Sequence, residues 1–202
     1  QHLPQGGFAI DATAGNGGDT LMLCETVGAE GRVLAMDIQA QAVANTKSLL
    51  EERGWAAIAQ VVQDSHACMD RYAQPESADC VVFNFGWLPG GDHNVFTRKE
   101  SSLEAIRQGL ECLKPGGIMS LCVYYGRNNG YEERDAILDR ERSDRERYAA
   151  QQAKIQVFTQ QLEETRTAIA QLEGSQTEAA EATAAITEAM TALKTEEAAL
   201  DA

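Results

Sequence analysis

The 202-residue chain is 44% hydrophobic, 24% charged and only 6% aromatic, with a formal net charge of −14: the composition of a soluble globular protein, long enough for one ordinary core plus an appendage. That acidity weighs against non-specific nucleic-acid binding by the chain as a whole, though not against a local basic patch. No apolar run approaches the roughly 20 residues of a bilayer span, no secretory leader opens the sequence, and the cysteines at 24, 68, 80, 112 and 122 form no CxxC pair. The expectation is a cytoplasmic protein with reduced thiols, no membrane partner and no metal.

Phe8 to Asp11 is a short apolar run that ends on an acid and enters a glycine-rich turn, the pattern of a buried parallel strand. A helix is expected next, with Asp19 and Thr20 at its capping positions and Leu21, Leu23 and Cys24 opening its apolar face. Gly31 precedes a second buried strand, Val33 to Met36, which ends at Asp37. Gln41 to Arg53 reads as helix, Ala57 to Val62 and Ala78 to Phe83 as strands, and Glu100 to Leu113 as a helix with Ile106, Leu110 and Leu113 on one face. Lys114 to Gly117 stops that helix, and Ile118 to Tyr124 is the fifth strand. This alternation predicts an α/β fold: an open, parallel, Rossmann-like sheet with helices on both faces.

Beyond about Glu132 the character changes, with Ala, Glu, Gln and Thr dominating and no strand pattern. Ile155, Leu162, Ile169, Gln176, Thr183 and Met190 recur every seven residues, and so do Phe158, Thr165, Leu172, Ala179, Ile186, Leu193 and Leu200. The boundaries drawn are 1–142 for the sheet domain and 143–202 for a helical tail. Gly174 allows a hairpin of two antiparallel helices of about twenty residues each; the alternative is one long coiled-coil helix that dimerises.

In an open parallel sheet the first strand-to-helix turn does most of the ligand holding. Here that turn is Asp11-Ala-Thr-Ala-Gly15-Asn16-Gly17-Gly18-Asp19-Thr20. Gly15 and Gly17 permit close backbone approach, and helix N–H groups favour an anionic group. Asp37, about 20 residues past the glycines, is placed for ribose hydroxyls of either NAD or S-adenosyl-L-methionine. The dinucleotide fingerprint needs glycine or alanine at position 20, where this chain has Thr20. An acid at Asp11 also suits a cofactor carrying an ammonium and a sulfonium. Asp64 is placed for an adenine amino group, or as a helix cap.

Asn84, at the end of the fourth strand, supplies a carbonyl that could hold an amine and aim its lone pair at a methyl carbon. His93 either takes the amine's proton or organises its loop. Trp87 either stacks on a base or packs as wall.

DATAGNGGDT (11–20), MDIQ (36–39), DSH (64–66), FNFGWLPGGDH (83–93), Thr97, KPGG (114–117) and VYYGRNNGYEE (123–133) together resemble the small class I methyltransferases of the rRNA methylase family, over about residues 8–137. The resemblance implies S-adenosyl-L-methionine as cofactor and tRNA as partner, with methylation of the aminomethyl group of the wobble uridine. It places Asn16, Asp19, Asp37, Gln39, Asp64, Ser65 and His66 by the cofactor and the stretch from Asn84 through Phe85, Gly86, Trp87, Leu88 and Pro89 to His93 by the acceptor. Family members add a helix before the first strand and a final strand pair after the YEE motif, where this chain has its heptad tail; a family histidine is replaced by Arg127 or Asn128. A homodimer through the sheet domain or the tail is a further expectation. The alternatives are a coiled-coil scaffold with a degenerate methyltransferase-like domain, a methyltransferase for another RNA or a small amine, and, more weakly, an NAD enzyme.

Overall fold

The computed structural model describes residues 3–86, 97–125 and 130–200. The chain divides into two compact units, Gln1–Arg142 and Ser143–Ala202. In the first, β1 (Phe8–Asp11), β2 (Arg32–Asp37), β3 (Ala59–Gln63), β4 (Ala78–Phe85) and β5 (Leu113–Val123) form one sheet of order β3-β2-β1-β4-β5. Every pairing is parallel. The crossovers run through α1 (Gly18–Val27), α2 (Ala40–Glu52), a 3₁₀ turn over His66–Arg71, and α3 (Lys99–Cys112).

Alternate strand residues feed two cores, as expected when both faces of a parallel sheet are covered. Ile10, Leu34, Met36, Val81, Phe83 and Phe85 pack on one side with Ala105 and Ile106 of α3. Ala9, Val33 and Cys80 pack on the other with Leu23, Cys24 and Val27 of α1 and Leu50 of α2. The chain leaves β1 for β2 on one side and reaches β4 on the other, so the switch point lies at the carboxyl end of β1.

Several expectations need correction. α1 is preceded by Gly17, with no side-chain cap, because the Thr20 hydroxyl is turned inward to Asp11. Lys114 to Gly117 lies within β5: Leu113 pairs with Ala78, and a register shift follows before Ile118 pairs with Cys80. Leu110 stands 49% exposed; the buried face of α3 runs through Ser102, Ala105, Ile106, Gly109 and Cys112. The tail hairpin does not form. α4 (Tyr131–Leu200) continues through Gly174, whose cost of about 1 kcal/mol in a helix is small beside the propensity of its Ala, Glu and Gln neighbours. Every described side chain from Arg145 to Thr191 is exposed, including Ile155, Phe158, Leu162, Ile169 and Leu172.

Candidate cofactor and acceptor site

The carboxyl ends of β1 to β4 surround a cavity of about 490 Å³, within the roughly 300–1,000 Å³ usual for small-molecule sites. Its floor is the turn after β1. Gly17 sits at φ 86°, where a Cβ would come within 3.0 Å of the Thr46 Cα; backbone freedom and closeness to α2 are both required there. Thr46 Oγ1 donates to the Gly15 carbonyl at 3.1 Å, completing the junction. Gly17→Ala should therefore cost about 1–3 kcal/mol in urea unfolding; a loss below about 0.5 kcal/mol would show that the turn does not depend on glycine.

Asp37 holds the turn from the side. Its Oδ2 accepts from Gly15 N at 3.0 Å and its Oδ1 from Gln39 N at 2.9 Å. Each carboxylate oxygen offers two lone pairs, so acceptor capacity remains on both. Asp64 is more committed: Oδ2 accepts from Tyr72 OH at 2.9 Å and Arg71 at 3.2 Å, and Oδ1 from Ser65 N at 2.7 Å. The Tyr72 hydrogen bond leads the causes that hold its carboxyl below the usual range. The cap of the 3₁₀ turn is Ser65, accepting from Ala67 N, so Asp64 does not play that part.

His66 is 8% exposed and meets Phe83 and Phe85 edge-on at 6.3 and 5.8 Å. Burial holds its pKa down to about 4, against a hydrogen bond to the Ala12 backbone. Nε2 is buried and has no hydrogen-bond partner among the described residues.

At the end of β4, Asn84 N donates to Thr13 Oγ1 at 2.7 Å and Asn84 Nδ2 to Asp19 Oδ2 at 2.7 Å. An ionised carboxylate only accepts; the amide must turn its NH₂ to Asp19, which leaves Oδ1 as the free end. Gly86, Thr97, Arg98, Ser101 and Tyr124 close the far wall.

Gly15, Asn16, Asp19, Asp37, Gln39, Asp64, Ser65, His66, Asn84 and Gly86 thus meet around one cavity. Asp11, Gly17, Thr20 and Phe85 do not line it. Asp11 and Thr20 are fully buried and bonded to each other at 2.6 Å, Oγ1 to Oδ2, with burial pushing Asp11 up to about 6. Phe85 stacks on Phe83 in the core, centroids 5.0 Å apart. Trp87, Leu88, Pro89, His93, Arg127 and Asn128 lie outside the described residues. Thr13 and Tyr124 are cavity residues that sequence reasoning missed. It also gave no role to Glu133, buried in α4 and accepting from Thr97 Oγ1 at 2.9 Å and from Ser102 Oγ. The signals were a threonine just past β1 and an acid spaced to face α3.

The pattern of the family described as "Putative rRNA methylase" matches residues 33–171, from β2 into α4. The chain belongs to the rRNA methylase family. Over 146 residues it is 38% identical to the chloroplastic tRNA (mnm(5)s(2)U34)-methyltransferase of Arabidopsis thaliana, covering 68% of this chain and 53% of that protein. It therefore spans about half the length of that curated relative. A "putative rRNA-methylase" from Clostridium thermocellum superposes with a TM-score of 0.66 at 38% identity, covering 68% and 74% of the two chains. A "putative methyltransferase" from Streptococcus mutans, in complex with SAH, gives 0.61 at 35% identity over 70% and 75%. The sheet of this rRNA methylase family member is that of class I S-adenosylmethionine-dependent methyltransferases.

Proposed function

We propose that the chain is an S-adenosylmethionine-dependent methyltransferase that N-methylates the aminomethyl group of the wobble uridine in tRNA. The observation that carries this reading is the locked Asn84 amide, opening onto the same cavity as the Asp37 turn. The residues fit the cofactor. Asp37 keeps lone pairs for ribose hydroxyls, and the remaining Oδ1 lone pair of Asp64 is an acceptor for an adenine amino group. Bound there, the cofactor supplies an electrophilic sulfonium methyl. Asn84 Oδ1 accepts an N–H of the acceptor amine and so directs the nitrogen lone pair into the cavity; catalysis of this kind is mainly orientation. The Arabidopsis thaliana relative, named as a methyltransferase of tRNA at U34, supports tRNA as the substrate. The five cysteines are free, which suits a reducing compartment such as the cytoplasm.

Calorimetry should show one S-adenosylhomocysteine bound per chain, and nucleosides from tRNA lacking the modification should gain one methyl on 5-aminomethyluridine. No heat on titration would overturn the cofactor reading. Binding without the methyl gain would leave an enzyme for a different acceptor.

A further inference from the structure

Glu133, in the first turn of α4, is 4% exposed and has no part in the reaction proposed above. It shares a helix face with Ile137, four residues on, which is buried in the core cluster that holds Ala105 and Ile106 of α3. Packing alone does not ask for an acid there, because burying a carboxylate costs more than burying an aliphatic side chain unless hydrogen bonds satisfy it. What the carboxylate adds is direction. Oε2 accepts from Thr97 Oγ1 at 2.9 Å, and Oε1 accepts from Ser102 Oγ, whose residue is fully buried. Each hydroxyl has one proton, and both are given to Glu133.

These contacts stand on either side of the start of α3. Thr97 comes two residues before the helix begins at Lys99, and Ser102 lies within its first turn. Between them are Arg98 and Ser101, which with Thr97 line the cavity. Thr97 is held a second time by its backbone, where its N–H donates to the Gly86 carbonyl at 3.0 Å, two residues past Asn84. A stretch of cavity wall is thereby fixed to the end of β4 and to α4 at once. The turn after β1, Asp37 and Asp64 take no part in this grip.

We propose that Glu133 is a positioning residue for the methyl acceptor: through Thr97 and Ser102 it sets the start of α3, and the cavity wall there, against the strand end that carries Asn84. Glu133 does not itself line the cavity. The inference rests on the methyltransferase reading above and extends it from the group that aims the acceptor to the frame that keeps its place. Because the gripped wall is bonded to the end of β4 and not to the turn after β1, its loosening falls on the acceptor and spares the cofactor.

The test uses the full chain. In Glu133→Ala the Thr97 amide should exchange with solvent at least about 10-fold faster than in wild type, while the Ala12 amide, bonded to Val82 between β1 and β4, exchanges as before. On tRNA lacking the modification kcat/KM should fall about 10- to 100-fold, with S-adenosylhomocysteine affinity within about twofold of wild type. Glu133→Gln, whose amide can meet the same two hydroxyls, should recover most of both losses. Unchanged exchange at Thr97 in Glu133→Ala overturns the proposal, and so does an unchanged kcat/KM. An equal loss in S-adenosylhomocysteine affinity overturns it too, since that marks general loosening. Should Glu133→Ala fail to fold, Ser102→Ala cuts one of the two contacts without touching the cavity; wild-type exchange and turnover in that variant overturn the proposal. The wider reading fails separately: a wild-type protein that adds no methyl loses the proposed reaction, while exchange at Thr97 still decides whether Glu133 holds the wall.

Discussion

Asn84→Ala should lower turnover about 100- to 1,000-fold while S-adenosylhomocysteine affinity stays within about threefold. The separation follows from where Asn84 is held. Its backbone N–H is bonded to Thr13 and its NH₂ to Asp19, so the oxygen is the end of the amide left for a ligand of the cavity that Asn84 lines. Removing the side chain takes away the group proposed to orient the acceptor nitrogen. The Asp37 carboxylate and its bonds to Gly15 and Gln39 are untouched. Single-turnover rates with bound cofactor, set beside calorimetric affinities, read the two effects independently. Equal losses in both would show that Asn84 supports the turn and does not orient the acceptor.

The second large effect is a pair of opposed pH dependences in stability. Burial raises Asp11 from 3.8 to about 6 in the folded state, so between about pH 4 and 6 the folded protein keeps a proton that the unfolded chain releases. That contribution is greatest in acid and is lost as pH rises through 6. Burial lowers His66 from 6.5 to about 4, so over nearly the same window the unfolded chain takes up a proton that the folded protein refuses. This contribution is full above 6.5 and is lost as pH falls toward 4. Each is worth on the order of 3 kcal/mol across the window, and in the wild type they largely cancel. Urea unfolding from pH 4 to 7 should therefore separate them by difference. Relative to wild type, Asp11→Asn should gain stability with rising pH, and His66→Gln should lose it. A flat difference curve for Asp11→Asn would mean that its carboxyl does not carry a buried charge.

The strands were legible because a parallel sheet covered on both faces needs short, largely apolar runs, and FAID, VLAM and ADCVVF are such runs. The cavity was half legible. Asp37, Asp64 and Asn84 stand at strand ends, and topology alone brings strand ends together. Direction was not legible. One residue of helical or strand phase decides whether an acid faces ligand or core, and Asp11, which closes β1, turns to Thr20 and the interior. Phe85 goes inward for the same reason, two residues after Phe83 on the same side of β4. In the tail, a seven-residue repeat reads alike in a hairpin and in a continuous helix. Gly174 signalled a break, yet nothing in the sequence weighs its modest cost against seventy residues of helical propensity.

The stapling of β1 to β4 has a consequence for rate. Ala12 N bonds to Val82 O at 2.9 Å, and Asn84 N bonds to Thr13 Oγ1. The turn after β1 and the end of β4, the proposed places of methyl donor and acceptor, are thereby parts of one stiff piece, welded on either side of the switch point. Among the described residues, no joint separates the two. What folding settles in advance is the placement of the two groups relative to each other, so the entropy that remains to be lost is that of the two ligands as they bind, and the molecule works as a jig into which they are loaded.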